Sequence, residues 1–247
     1  MKISIITIVY NNRETIADAI ESVLSQTYPD IEYIVVDGLS TDGTVEVVKK
    51  YGDRITKFIS EKDQGLYDAI NKGIQLATGD IIGLLHSDDI FYNENAVACV
   101  AAAFEAYQTD SVYGNLLYVE KEDTGKVVRK WVSGSYKREN FMYGWMPPHP
   151  TFYVKKSCYD RYGLYNTHFR SAADYELMLR FLYKHGVSTA YIPETLVKMR
   201  VGGKSNVTLR NRIRANREDY AAWQVNGLKP GFYTRYLKPL RKLVQFL

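Results

Sequence analysis

Cysteine is scarce in this chain of 247 residues, which contains only Cys99 and Cys158. The two lack the spacing of metal-binding cysteines, and no cluster of histidines accompanies them. We therefore expect two buried, reduced thiols without a chemical role, which excludes a disulfide scaffold and a cysteine-based metal site.

Long apolar segments are missing as well. Apolar runs such as residues 81–85 with its glycine and residues 101–104 are far shorter than the roughly 20 residues that span a bilayer. The first residues, MKISIIT, contain too short an apolar stretch and no small-residue cleavage site, so they predict a first strand rather than a signal peptide. We therefore expect a cytoplasmic protein without a membrane-spanning helix.

Several familiar fingerprints are also missing from the sequence. No Gly-x-Gly-x-x-Gly follows the first predicted strand, and no Gly-x-x-x-x-Gly-Lys-Ser/Thr occurs in the chain. There is no Gly-x-Ser-x-Gly to indicate a hydrolase nucleophile. These absences disfavour a dehydrogenase, a P-loop kinase and a serine hydrolase.

Hydrophobic residues make up 46% of the chain, which is enough to bury a full core. Short β-branched runs alternate with helical patterns over the first hundred residues, which predicts βαβ units around a mostly parallel sheet. Two later segments, residues 112–120 and 127–132, predict an antiparallel pair, so the second half of the chain is expected to be mixed. The fold class is α/β.

Acidic residues follow two of the predicted strands. Asp37 comes after the apolar run of residues 31–36, and Asp88 and Asp89 come after the strand predicted over residues 80–86. Open α/β sheets bind ligands in the crevice outside the carboxyl ends of their strands. These three carboxylates are therefore candidate site residues that face one crevice.

Asp88 and Asp89 are adjacent carboxylates that would repel each other unless a cation neutralised them. Mg²⁺ or Mn²⁺ binds one or two protein carboxylates together with substrate phosphates, so the pair suits a metal-bound nucleoside diphosphate. A solvated turn or a helix cap is the alternative for this pair, and a plain strand-to-helix turn is the alternative for residues 37–44.

Three segments together carry a resemblance to a known family. They are residues 4–11 (SIITIVYN), 36–44 (VDGLSTDGT) and 86–89 (HSDD), and their order and spacing resemble glycosyltransferase family 2. Over roughly the first 200 residues the resemblance implies a GT-A fold, an inverting mechanism and a UDP-sugar donor with Mg²⁺ or Mn²⁺. It implies one GT-A domain over residues 1–205, divided into a donor half (1–110) and an acceptor half (111–205).

The resemblance also implies roles for single residues. Asp37 would contact the uracil, Asp88 the ribose or the metal ion, and Asp89 the metal ion directly. The family often has an aspartate where this chain has His86, so the first carboxylate of that motif is missing.

An inverting transfer needs a general base on the face opposite the leaving diphosphate. Residues 174–180 (DYELMLR) resemble the family's Glu-Asp segment at the start of a helix, with Ala173 in place of the glutamate. Asp174 is the predicted base, and Glu176 is the second choice. The alternative is a first-turn acid that only stabilises the helix dipole.

Other polar residues are weaker candidates. Residues 61–73 also resemble a family segment, and Asp68, Asn71 and Lys72 in it are predicted donor contacts together with Asp63; a solvated helix face is the alternative. His149 lies between two prolines and could line the acceptor side, although a single histidine is more often structural. Arg200 belongs to a glycine-containing segment, residues 199–205, that could be a loop closing over the diphosphate or a plain connector.

The C-terminal part of the chain is strongly basic, with 12 Lys and Arg against 2 Asp and Glu from Lys198 onward. Residues 206–247 are predicted to form basic amphipathic helices that contact an anionic membrane surface, near a lipid-linked or saccharide acceptor. A solvated basic face or a homo-oligomer contact is the alternative.

Glycosyl transfer in the assembly of a bacterial surface polysaccharide or glycolipid is the function that these patterns favour. Nucleotidyl transfer would also use carboxylates and a metal ion on an α/β sheet. A non-catalytic protein that binds a nucleotide-sugar is a further alternative. Nucleic acid is not the expected partner, because the basic residues form no known nucleic-acid-binding module.

Overall fold

The computed structural model describes residues 1–202, 209–231, 233 and 234. Within them the strands are β1 (Ile3–Val9), β2 (Ile31–Asp37), β3 (Lys57–Ser60), β4 (Ile81–Leu84), β5 (Asp89–Phe91), β6 (Ser111–Val119), β7 (Val127–Trp131), β8 (Tyr153–Lys155) and β9 (Thr189–Arg200). The helices are α1 (Ile16–Leu24), α2 (Thr44–Lys49), α3 (Leu66–Leu76), α4 (Ala96–Tyr107), α5 (Lys156–Tyr162), α6 (Ala173–Met178) and α7 (Leu209–Val225). Short 3₁₀ turns cover Gly52–Arg54, Arg138–Tyr143 and His149–Thr151, and α6 continues into π-helical turns over Leu179–Lys184.

All nine strands belong to one sheet, in the order β3-β2-β1-β4-β8-β6-β9-β5, with β7 paired to β6. The strands β3, β2, β1 and β4 are parallel to one another. Beyond β4 the sheet is mixed, because β8, β5 and β7 run antiparallel to their neighbours while β6 and β9 are parallel. The α/β class, the parallel first half, the mixed second half and the β6–β7 pair agree with the sequence prediction.

Both faces of the sheet are covered, which explains why β1 and β2 are apolar with hardly an alternation. One core contains α1 and α4 residues such as Ile20 and Phe104. The other core contains α3 and α6 residues such as Ile70 and Leu177, together with Trp223 of α7. The sheet is therefore the middle layer of a three-layer structure.

Helix α7 packs against α6 and buries Ala222 and Trp223. Past α7, the Thr234 hydroxyl donates a hydrogen bond to the main-chain oxygen of Met142, and the Tyr233 ring stacks on Tyr143. The first part of the predicted basic segment thus lies against the domain. Residues 206–208, 232 and 235–247 of the segment predicted to contact a membrane, and the side chains of residues 209–213, fall outside what the structure describes.

None of the described helices combines the length and the hydrophobicity that crossing a membrane requires. Both cysteines are free; Cys158 is buried, whereas Cys99 is only partly buried, so the prediction of two buried thiols was wrong for Cys99. Burial raises the pKa of the Cys158 thiol to about 11, which keeps it protonated at neutral pH.

A buried carboxylate, Glu32, joins the first strands near their amino-terminal ends and is only 1% exposed. It accepts hydrogen bonds from the Ser4 hydroxyl at 2.6 Å, from Lys57 Nζ at 2.8 Å and from the Thr78 main-chain N–H at 2.7 Å. Burial alone would raise its pKa, but these donors outweigh burial and lower the pKa to about 2.

We predict that Glu32→Gln lowers the free energy of unfolding at pH 7 by about 1.5–3 kcal/mol, because one amide oxygen cannot serve the donors that now face a carboxylate. The pKa of Glu32 is lower in the folded state than in the unfolded state. Ionised Glu32 therefore stabilises the folded state above about pH 4.5, and this contribution is lost as the pH falls toward 2. The difference from wild type should therefore shrink below about pH 5. Urea unfolding at pH 7, 5 and 3.5 measures it, with the exposed Glu46→Gln as control; a pH-independent difference would contradict the assignment.

Candidate active site

The loops that follow β1, β2 and β4 are joined by two neighbouring asparagines. The main-chain N–H of Asn11 donates to the Ser40 hydroxyl at 2.8 Å, and Asn11 Oδ1 accepts from the main-chain N–H of Thr41 at 2.8 Å. Asn12 Nδ2 donates to the Ser87 hydroxyl at 3.0 Å. The carboxyl-terminal edge of the parallel strands is therefore one connected surface. Sequence analysis did not identify these links, because they join residues that are 29 to 75 positions apart.

Asp37 ends β2 and is completely buried. Its carboxylate accepts hydrogen bonds from the main-chain N–H and the hydroxyl of Ser40 and from the Ser60 hydroxyl at 2.7 Å. These donors hold the carboxylate in one orientation. A carboxylate has about four acceptor positions, so Asp37 retains capacity to accept another donor.

Lys72 lies on α3 among three carboxylates. Its ammonium is 2.9 Å from Glu61, 2.8 Å from Asp63 and 3.6 Å from Asp68. Hydrogen bonds to Asp63 and Glu61 raise the pKa of Lys72. The structure thus places Lys72 and Asp68 in one surface ion-pair cluster, and their predicted contact with a donor stays a prediction.

Asn71, one residue earlier on α3, has both ends of its amide engaged. Asn71 Nδ2 donates to the main-chain oxygen of Tyr165 at 2.8 Å, and Asn71 Oδ1 accepts from the Tyr165 main-chain N–H at 2.9 Å. This two-bond contact fastens the segment that leads to α6 onto α3. Asn71 is therefore a structural link in this structure, and its predicted contact with a donor stays a prediction.

The carboxylate of Asp89 is completely buried, and neither of its oxygens has a hydrogen-bond partner among the described residues. Burial, followed by the charge of Asp88, raises its pKa well above the usual value, and the charge and main-chain N–H of Arg200 oppose this only in part. Such an arrangement is costly unless a cation compensates it.

The residues present fit a hard divalent ion at this point. Asp89 offers two unused oxygens, and the neighbouring Asp88 is partly buried. Within the described ranges no group of three or more His, Cys, Asp or Glu is arranged to hold a metal ion. A site with one or two protein carboxylates, completed by phosphates and water, is what Mg²⁺ and Mn²⁺ use with nucleotides.

Arg200 is the last residue of β9 and only 6% exposed, so the prediction that it belongs to a loop was wrong. Its guanidinium donates to the main-chain oxygens of Asp88 at 2.9 Å and Lys121 at 3.1 Å and pairs with Asp18 at 2.5 Å. Residues 203–205 of the predicted loop lie outside the described ranges. Arg200 therefore holds the turn that contains Asp88 and Asp89 through a hydrogen bond to its main chain.

A row of side chains leads from this turn to the predicted base. His86 Nε2 lies 3.0 Å from His149 Nε2, and His149 Nδ1 lies 3.5 Å from a carboxylate oxygen of Asp174. Burial lowers the pKa of both histidines, to about 4 for His149, so both rings are neutral at pH 7. The structure thus joins the residue that departs from the family motif, His86, to the weak acceptor-side candidate, His149, and to Asp174.

Asp174 is also contacted from α3. The Tyr67 hydroxyl lies 3.4 Å from Asp174 Oδ1, and burial together with the negative charge of Asp174 raises the pKa of this tyrosine. The Asp174 side chain keeps 21% of its surface exposed. Glu176, the second choice for the base, is buried and pairs with Arg180 at 2.9 Å. Asp174 is therefore the accessible carboxylate of the two.

Helix α7 holds the segment that carries Asp174. Glu218 accepts from the main-chain N–H groups of Arg170 and Ser171, the latter at 2.7 Å. Trp223 Nε1 donates to the Tyr175 hydroxyl at 2.9 Å, and Asn226 Nδ2 donates to Glu176 Oε1 at 3.0 Å. Sequence analysis assigned this helix to a separate basic segment and missed these contacts, because a periodic basic pattern does not show which helix its apolar face covers.

A family model and a relative of known class each match most of this chain. The model of glycosyl transferase family 2 matches residues 4–169. A PGL/p-HBAD biosynthesis glycosyltransferase of Mycobacterium tuberculosis is 27% identical over 208 residues, which cover 82% of this chain and 78% of the relative.

Solved structures resemble the whole arrangement of strands and helices. S. aureus TarS 1-349 in complex with UDP-GlcNAc has a TM-score of 0.72 at 19% identity, covering 92% of this chain and 65% of that one. The mannosyltransferase PcManGT of Pyrobaculum calidifontis, in complex with GDP-Man and Mn²⁺, has a TM-score of 0.62 at 14% identity, covering 100% of this chain and 81% of that one. At these identities the likeness shows the fold.

We predict that Asp89→Asn increases the free energy of unfolding at pH 7 in the absence of metal. A carboxyl with a raised pKa destabilises the folded state once the pH exceeds its unfolded value, and the amide carries no such charge. Thermal unfolding in EDTA and in Mn²⁺ with UDP measures this. Mn²⁺ and UDP should raise the melting temperature of wild type and leave that of Asp89→Asn nearly unchanged. Equal stabilisation of both proteins would contradict a metal ligand at Asp89; Asp123→Asn, on the β6–β7 turn, is the control.

Proposed function

The chain belongs to glycosyltransferase family 2 and is a glycosyltransferase with the GT-A type of fold, and within that activity we propose an inverting transfer from a UDP-sugar to an acceptor hydroxyl. The observation that carries this proposal is the row from the Asp88–Asp89 turn through His86 and His149 to Asp174. The predicted leaving-group site lies at one end of this row and the predicted base at the other, and this separation supports a direct displacement.

On the donor side we assign the base and ribose to the edge formed by Asp37 and its neighbouring loops. The Asp37 carboxylate is held by Ser40 and Ser60 and can accept a further hydrogen bond, which suits the N–H of a uracil. TarS binds UDP-GlcNAc and PcManGT binds GDP-Man in their structures. A uridine nucleotide is our proposal for this chain, and its sugar is left to experiment.

For the diphosphate we propose a Mn²⁺ or Mg²⁺ ion on Asp89 and Asp88. The buried carboxylate of Asp89, which has no hydrogen-bond partner among the described residues, supports this assignment, and PcManGT, a protein of like fold, was solved with Mn²⁺. When bound, the ion supplies positive charge that stabilises the departing nucleoside diphosphate. Arg200 keeps the turn in place by holding the Asp88 main-chain oxygen.

On the acceptor side we propose that Asp174 takes the proton of the attacking hydroxyl. Its carboxylate is partly exposed, whereas Glu176 is buried in an ion pair. Tyr67 contacts one carboxylate oxygen and His149 the other. Both neighbours are neutral, so neither places a positive charge beside Asp174 that would weaken it as a general base.

We propose a saccharide or lipid-linked acceptor in surface polysaccharide or glycolipid assembly. The name of the mycobacterial relative refers to PGL/p-HBAD biosynthesis. The basic residues from Lys229 onward would bring the protein to an anionic membrane surface, on its cytoplasmic side. Oligomer formation stays a prediction, as does the division of the chain at residue 205.

The first experiment tests the reaction class with purified full-length protein. UDP-, GDP- and dTDP-sugars are supplied with membrane lipid extract, with Mn²⁺ or with EDTA, and the released nucleotide is identified. We expect metal-dependent release of UDP from one UDP-sugar. Release of pyrophosphate would instead identify a nucleotidyltransferase, and donor binding by calorimetry without any release would identify a binding protein.

The role of Asp174 is tested with Asp174→Asn. Because removal of a general base typically costs about 10²–10⁴-fold in rate, turnover should fall by that order while donor affinity in calorimetry stays within about twofold. Asp160→Asn, an exposed aspartate on α5, is the matched control and should leave turnover unchanged. Near-normal turnover of Asp174→Asn would remove Asp174 from the mechanism.

A further inference from the structure

We propose that His149 is a positioning residue that orients the carboxylate of Asp174 through its Nδ1–H, while His86 holds the His149 ring in the required tautomer. The inference rests on the proposed function, because it assumes that Asp174 is the base. It gives a role to two histidines, His86 and His149, that do not themselves take part in the proposed proton transfer.

The main chain around His149 is rigid. His149 lies between Pro148 and Pro150 and begins a 3₁₀ turn. The fully buried Thr151 closes this turn, with its hydroxyl donating to the main-chain oxygens of Pro148 at 2.9 Å and Gly114 at 3.0 Å. The turn therefore holds the main chain of His149 in place, with its ring nitrogen Nδ1 3.5 Å from the Asp174 carboxylate.

The two ring nitrogens of His149 face different partners. Nε2 meets His86 Nε2 at 3.0 Å, and Nδ1 meets Asp174 Oδ2 at 3.5 Å. An ionised carboxylate accepts but does not donate, so the proton of the neutral ring belongs on Nδ1. His149 Nε2 is then an acceptor, and His86 must donate from its own Nε2. One assignment of protons therefore satisfies both contacts.

The charge of the His149 ring matters as much as the direction of its N–H group. An imidazolium beside Asp174 would favour the ionised carboxylate and reduce its ability to take a proton. Burial lowers the pKa of His149, so its neutral ring can turn an N–H toward Asp174, 3.5 Å away, without that penalty. The Tyr67 hydroxyl contacts the other oxygen, Asp174 Oδ1, and is likewise uncharged. Asp174 is thus oriented from two sides by neutral groups.

The geometry points to a direct spectroscopic test on the full-length protein without any ligand. The chain has only four histidines, so ¹⁵N-labelled histidine gives a spectrum that His86→Asn and His149→Asn assign. At pH 7.5 we expect His149 as the neutral Nδ1–H tautomer and His86 with a proton on its Nε2. Asp174→Ala should abolish the preference at His149. An Nε2–H tautomer or a charged ring at His149 in the wild type would overturn the proposal.

A variant series separates positioning from packing. In His149→Asn the amide nitrogen takes the place of Nδ1 and keeps a donor toward Asp174; in His149→Gln it takes the place of Nε2 and points to His86; His149→Phe keeps the ring volume. With the UDP-sugar that turns over in lipid extract with Mn²⁺, kcat should fall about 10- to 100-fold in His149→Gln and His149→Phe and clearly less in His149→Asn. Donor KM should stay unchanged.

The double variant distinguishes the two possible failures. If His149 acts through Asp174, adding His149→Gln to Asp174→Asn should lower kcat no further. Additive losses, or a smaller loss in His149→Gln than in His149→Asn, would overturn the positioning role and leave the base assignment intact. Near-normal turnover of Asp174→Asn alone would overturn the proposed function instead. Melting temperatures within a few degrees of wild type verify that each variant is folded.

Discussion

The desolvation of the Asp89 carboxylate is the constraint on which the site depends. A buried acid without a hydrogen-bond partner is unfavourable by itself, and the fold surrounds it with features that make sense only together. Arg200 supports the turn from the protein side, and the neighbouring Asp88 leaves the open side negative. This arrangement of the described residues supports the proposed cation and anionic substrate at the site.

A second consequence of burial is seen at the histidines. His86 replaces a family carboxylate and would add positive charge next to the aspartates if it were protonated, but burial beside His149 keeps both rings neutral. The two rings separate the predicted metal carboxylates from Asp174 without charge of their own. Helix α7 then holds the base-bearing segment through Glu218 and Trp223, so the C-terminal part of the chain contributes to the site.

Sequence reasoning was accurate where local patterns carry the information. The alternation of apolar strands and amphipathic helices predicted the parallel strands. The strand-end pattern made Asp37, Asp88 and Asp89 candidates, and their roles stay predictions. It was wrong where the partner is distant in sequence. The glycines after Arg200 suggested a loop, yet Arg200 ends a strand, is buried and pairs with Asp18, 182 residues away in the chain. Nothing in the sequence indicated that Asn71 binds the Tyr165 backbone.

The sequence by itself determined the fold class, the family and the identity of the acidic side chains, because periodicity, strand-end chemistry and motif spacing are local properties of the chain. Only the tertiary structure decided which carboxylates are buried and which are already paired. It also decided that His86, His149 and Asp174 lie in one row. Burial and pairing depend on distances between segments that close on one another only when the sheet forms. Those distances set the charge state of each group, and the charge state sets its chemistry.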